Sequence, residues 1–167
     1  MNKSARITIM SILFVCLIVA TAGNAFSEEY GILKGLKSVK AVFNFEMGNP
    51  QSALINLKLI HQTYKDESIR KVSKHPDFVV IFLGPAVKLV SKNKGAFTAE
   101  DQKILDEFAS TVSAMAKDGI KLEICMFAVK VFGVESSSIL PEIRQVGNGW
   151  ISLIGYEAKG YSLVPIG

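Results

Sequence analysis

The sequence predicts a single α/β domain: a mostly parallel sheet of about five strands with helices on both faces, in a flavodoxin-like three-layer arrangement. Three observations carry this. Short runs of β-forming residues alternate with helical segments from Val39 to the end of the chain. One of them, Phe78–Leu83, is apolar at every position, as a strand covered on both faces requires. Alternating strands and helices of this kind are joined by crossovers that leave the strands parallel.

Taken in order, Val39–Phe45 (VKAVFNF) is nearly all apolar and rich in β-formers, and reads as the first strand. Asn49-Pro50 then supplies a helix cap and a first-turn proline. The helix that follows places Leu54, Leu57, His61 and Tyr64 on one face. His75-Pro76-Asp77 breaks the chain before the apolar strand, and Gly84-Pro85 after it opens a short helix carrying Val87, Leu89 and Val90. Ser91–Phe97 is a polar loop. Thr98-Ala-Glu-Asp101 has the form of a capping box, opening a long helix with Ile104, Leu105, Phe108, Val112 and Met115 on its buried side. Asp118-Gly119 closes it.

Lys121–Ile124 is a strand that runs through Cys125 into a helix over Met126–Phe132. Ser136–Pro141 forms a short turn or helix and Ile143–Val146 a short strand. Gly149–Lys159 is a helix closed by Gly160, and Tyr161–Ile166 is the last strand.

Residues 1–25 have the pattern of a secretory signal. Lys3 and Arg6 form a positive start, Ile7–Ala20 is apolar apart from Thr8 and Ser11, and cleavage is expected after Ala25, with Ala22 as the alternative. A retained anchor is the other reading, but a spanning helix needs about 20 apolar residues and this run is shorter. Val15 before Cys16 disfavours a lipoprotein signal, which wants a small residue there. The domain is then 26–167, exported to the periplasm or secreted, with no stable membrane insertion after cleavage. Losing Lys3 and Arg6 brings the formal charge from +4 to +2. That mild balance, with scattered lysines and no interleaved aromatics, gives no nucleic-acid footprint.

Cys16 leaves with the signal, so Cys125 becomes the single thiol. A lone cysteine forms no intrachain disulfide, and burial is the default for it. At a strand-to-helix junction it has a second option, because the free N–H groups of a helix start favour the thiolate. Ligands in open α/β sheets gather at the carboxyl ends of strands. Three segments fit that rule: Glu46–Asn49, Gly84-Pro85 and Cys125. If their strands are neighbours, they share one pocket.

Gly-x-Ser-x-Gly, His-Glu-x-x-His, Gly-Lys-Ser/Thr and Cys-x-x-Cys are all absent from the sequence. The two histidines, His61 and His75, lie far from Cys125 in sequence and give a metal site little to rest on. His61 reads as a core or interface residue and His75 as loop. Trp150, Ile151, Leu153 and Ile154 form an apolar stretch that reads as core or as a subunit contact.

These residues resemble the DsrE/DsrF family of small sulfur-relay and sulfur-metabolism proteins from about Val39 to Pro165. The resemblance rests on Phe82-Leu-Gly-Pro-Ala-Val-Lys-Leu89, on Leu122-Glu-Ile-Cys125 with Lys130 downstream before Gly133-Val134, and on Leu140-Pro141, Gly149, Gly160-Tyr161 and Pro165 in that order. Glu157 stands where many exported relatives carry glutamine, and Met126-Phe127 replaces small or polar residues, a change expected to shield Cys125 or to raise its pKa.

The resemblance implies homotrimeric or hexameric assembly, a Cys125 that takes up sulfane sulfur from a donor and passes it to a partner protein's thiol, and no organic cofactor. Gly84, Pro85, Met126 and Lys130 are the expected pocket residues beside it. The competing expectation is a non-catalytic oligomer that binds a ligand or protein, with Cys125 packed as a small hydrophobe.

Overall fold

The computed structural model describes residues 30–167, so the signal expected over residues 1–25 lies outside the described part. The chain divides into two compact units at residue 34; of the first, only the segment from Tyr30 is described, with a 3-10 turn at Gly31–Leu33. All that follows concerns the second unit, Gly35–Gly167.

Five strands form one sheet: β1 (Lys40–Phe45), β2 (Asp77–Phe82), β3 (Lys121–Cys125), β4 (Arg144–Val146) and β5 (Ser162–Ile166). Their order across the sheet is β4-β3-β2-β1-β5, and every pairing is parallel. Five helices accompany them: α1 (Pro50–Lys65), α2 (Glu67–Val72), α3 (Ala99–Lys117), α4 (Met126–Val131) and α5 (Gly149–Ala158).

The unbroken apolar run of β2 is explained by its position. Val79, Val80, Ile81 and Phe82 are fully buried, with β1 on one side, β3 on the other and helices over both faces. Alternation sorts the side chains. Phe43, Phe45, Phe78 and Phe82 point to the face covered by α1 and α3. There Phe45 and Phe82 stack edge-on at 5.4 Å, Phe108 of α3 sits 6.1 Å from Phe82, and Tyr64 of α1 meets Phe78 at 5.5 Å. Glu123 and Cys125 point the other way, toward α5.

The caps fall where expected. Asn49 accepts from the Ser52 N–H and Thr98 from the Asp101 N–H. Two elements differ from expectation. Gly84–Lys88 is a 3-10 turn and not an α-helix, because the Ala86 N–H already donates to the Leu83 carbonyl and the Leu89 N–H to that of Ala86. The short helix α2 was not expected. Asp66 starts it, accepting from the Ser68 N–H at 2.8 Å.

At the amino ends of the strands, Asp77 binds Lys121 at 2.7 Å and accepts from the Tyr161 hydroxyl at 2.6 Å, tying β2, β3 and the start of β5 together. Burial alone would raise the Asp77 carboxyl. The hydrogen bonds from Lys121 and Tyr161 outweigh it and hold the group below the usual carboxylate range. A depressed folded-state value means stability that is present above the ordinary carboxylate value and lost as pH falls through the folded one. Urea unfolding between pH 7 and pH 3 is therefore expected to show an acid-side loss of stability that Asp77→Asn reduces. An unchanged acid profile in that variant would remove Asp77 from the account.

Candidate functional site

Because β1, β2 and β3 are neighbours in register, their carboxyl ends lie side by side. Glu46 follows β1, Leu83 and Gly84 follow β2, and Cys125 ends β3. All four line one open cleft of about 360 Å³. Phe127, Ala128, Val131 and Phe132 of the α4 segment form a second wall. Asn148 and Trp150, at the start of α5, close the third side. The sharing of one pocket by the three strand-end segments, conditional in the sequence, is what the sheet order produces.

Cys125 is a free thiol and only 4% exposed. Its neighbours hold it closely. A Cβ placed on Gly149 would lie 2.9 Å from Leu83 Cδ2 and 3.0 Å from Cys125 Cβ, so the start of α5 approaches the thiol only because residue 149 has no side chain. Gly84 has φ +51°, a left-handed conformation that turns the chain away from β2 and leaves its backbone in the cleft wall.

The residues expected around Cys125 fall out differently. Gly84 lines the cleft. Pro85 does not: it packs on the turn after β1, where a Cβ on Gly48 would come within 2.8 Å of Pro85 Cβ. Met126 packs against the core, and Lys130 is an exposed residue of α4 outside the lining. The reason is helical geometry. On a helix that starts at Met126, positions 127, 128 and 131 share the cleft side, whereas 126 and 130 turn away from it. The helix start also offers less than expected. α4 has six residues, and the Phe127 N–H already donates to the Gly147 carbonyl at 3.1 Å.

Several cleft residues were not among the pocket residues expected beside Cys125. Phe127 (67% exposed), Val131 (63%) and Trp150 (65%) stand at the mouth as large apolar side chains open to solvent. Leu83, Phe132 and Asn148 complete the lining. The readable signals were the bulk of the Met126-Phe127 pair after the thiol and, for Trp150, its place in an apolar stretch. Glu46 was present only as the first residue of a turn; Asn44 holds it, donating from Nδ2 to Glu46 Oε1 at 3.1 Å.

Glu123, two residues before Cys125 on the same face of β3, was also missed. It is buried, accepts from the Tyr156 hydroxyl at 2.9 Å, and lies 3.7 Å from Arg144. Burial first, and then the Glu123 carboxylate, push the Tyr156 hydroxyl up to about 12. This pair anchors α5 to the sheet. A glutamate within an otherwise apolar strand was its signal.

His61 lies away from the cleft, on α1. Its Nε2 sits 2.6 Å from Asp118 Oδ2, beside Lys65, so it is a half-buried interhelical partner. Among the described residues, no group of three His, Cys, Asp or Glu side chains is placed to hold a metal ion, and no helix is long and apolar enough to cross a membrane.

Fold and cleft together define a small parallel α/β protein with a free cysteine at the carboxyl end of a central strand. The chain belongs to the DsrE/DsrF-like family, whose model matches residues 37–165. It is 23% identical over 128 residues to an uncharacterized protein of Aquifex aeolicus (strain VF5), covering 76% of this chain and 56% of that one, so it spans little more than half the relative's length. Two solved structures share the fold. The protein of unknown function MTH1491 from Methanobacterium thermoautotrophicum superposes with TM-score 0.60 at 12% identity, over 77% of this chain and 99% of that one. The ychN protein from E. coli gives 0.53 at 14% identity, with the same shares.

Close contact at residue 149 makes a direct test of the site's packing. In an open helix, Gly→Ala is stabilising by about 0.5–1 kcal/mol. Here Gly149→Ala is expected to destabilise by about 1–3 kcal/mol through overpacking against Leu83 and Cys125, and to change the rate at which a small alkylating reagent reaches the thiol. Urea midpoints and alkylation kinetics read the two effects; a stabilised variant would show that the contact is slack.

Proposed function

We propose that this protein is a sulfur carrier in which Cys125 receives sulfane sulfur from a persulfide or polysulfide and hands it to a partner thiol. The observation that carries the reading is the position of Cys125: a free thiol in the wall of an open cleft, at the strand ends where α/β sheets gather ligands. Family membership supports a sulfur-relay role. Chemically, the Cys125 thiolate attacks the outer sulfur of the donor, the donor's S–S bond breaks, and the donor thiolate leaves with the electron pair. Cys125 is left as a persulfide, with no net oxidation.

Export to the periplasm or beyond, after removal of residues 1–25, belongs to the same reading and is supported by the signal-like pattern in the sequence. So does assembly into a homotrimer or hexamer. What supports assembly is the outward side of α5, where Trp150, Ile151 and Ile154 are 65%, 69% and 67% exposed, a cluster of large apolar side chains of the kind that marks an interaction site.

One observation favours the rival reading, a non-catalytic binding or scaffolding oligomer. Cys125 belongs to the buried core and is almost inaccessible from solvent.

Intact mass of the native protein before and after excess inorganic polysulfide, beside Cys125→Ala, decides between the two. The carrier reading expects sulfur-sized increments that disappear in Cys125→Ala. Absence of any gain, with Cys125 inert to alkylation until unfolding, would establish the structural role. For assembly, sedimentation of Ile154→Lys is expected to show smaller species than the unsubstituted chain; identical sedimentation would remove this face from the interface.

A further inference from the structure

The walls of the Cys125 cleft carry information about what enters it. Phe127, Val131, Phe132, Trp150 and Leu83 make its lining mainly apolar, and among the described residues no Lys or Arg lines it. The nearest cation in sequence on α4, Lys130, points elsewhere, and Lys88 sits over the Phe132 ring at 5.2 Å, lining the neighbouring depression with Ser91 and Asn93. The charged group in the lining is the carboxylate of Glu46. Polar capacity is also low. Asn148 is the one uncharged polar side chain in the lining; its Oδ1 accepts from the Trp150 N–H at 3.0 Å, which leaves its Nδ2 as the single uncharged side-chain donor there. An anion entering this cleft would lose water, gain no cation and meet a like charge, all of which disfavour it. An uncharged ring or alkyl group would replace water on apolar walls, which favours it. The space is ample: a cavity of about 150 Å³ already takes up benzene.

We propose that the cleft over Cys125 selects organic sulfur compounds whose R group is an uncharged aromatic or alkyl group, the persulfide R–S–SH and its thiol R–SH, over donors with a charged body such as thiosulfate. The transfer chemistry rests on the sulfur-carrier reading; the recognition does not. In the transfer, Cys125 takes the outer sulfur and R–S⁻ departs, acquiring a proton from water. The group R occupies the space between Phe127 and Trp150. Anionic donors in excess still load the thiol, and the cleft sets the ratio between the two classes.

Trp150 is the chain's single tryptophan and lines the cleft, so its emission reports occupancy. The experiment titrates benzyl mercaptan and 4-(mercaptomethyl)benzoate, which differ by one carboxylate, into the full chain and into Cys125→Ser. Expected is a saturable change in both proteins, with half-saturation by the uncharged thiol at a concentration lower by about tenfold, the scale of one repulsive contact at a partly screened site. Glu46→Gln narrows that gap, and Phe127→Ser weakens the uncharged thiol. Equal half-saturation, tighter binding of the carboxylate, or no saturable change overturns this inference, and leaves the carrier reading standing wherever polysulfide still loads Cys125. Selective binding without any loading removes the carrier reading and keeps the recognition.

Discussion

Parallel pairing of β1, β2 and β3 is the constraint on which the rest of this molecule depends. β2 hydrogen-bonds on both edges and is covered on both faces, so the positions of its two neighbours follow from it. Parallel strands end at the same side of the sheet, and their connections must start there. The turn after β1, the Gly84 turn and the Cys125 junction are therefore brought together by backbone pairing alone. The Phe45, Phe82 and Phe108 cluster stabilises that arrangement from one face, and Tyr156 on Glu123 ties α5 down on the other.

Within that frame, two glycines decide how near other groups come. Gly149 lets the start of α5 rest on Leu83 and Cys125, and Gly48 lets the turn after β1 rest on Pro85. The thiol ends up in a wall and not on a summit. Its accessibility depends on small movements of its neighbours, which is why the carrier and structural readings both draw on the same geometry. An apolar mouth with one carboxylate also separates this cleft from the cation-lined pockets that hold anions.

Much of the fold was legible because its signals are local. Asn49, Thr98 and Asp118-Gly119 mark helix ends through hydrogen bonds within one turn, and Phe78–Leu83 declares a doubly covered strand by composition. The Gly84 segment misled for a related reason: Gly-Pro suits the start of either helix type, and only the bond from the Ala86 N–H to the Leu83 carbonyl selects the tighter turn. The pocket residues were harder. Met126 and Lys130 are close to Cys125 along the chain, yet a turn of helix carries them away from it, while Trp150 is 25 positions distant and stands at the mouth.

By itself, the amino-acid sequence determined the α/β class, the order of its strands and longer helices, the family, and the identity of the one thiol worth testing. Those are properties of periodicity, capping and short motifs, each written in neighbouring residues. The tertiary structure alone decided which strands are adjacent, that Cys125 is almost buried, that Glu123 finds Tyr156, and that the cleft's rim is Phe127, Val131 and Trp150 with Glu46 as its charge. Burial, partnership and the chemical character of a cavity depend on groups far apart in the chain, and they come into being only when the sheet has brought those groups together.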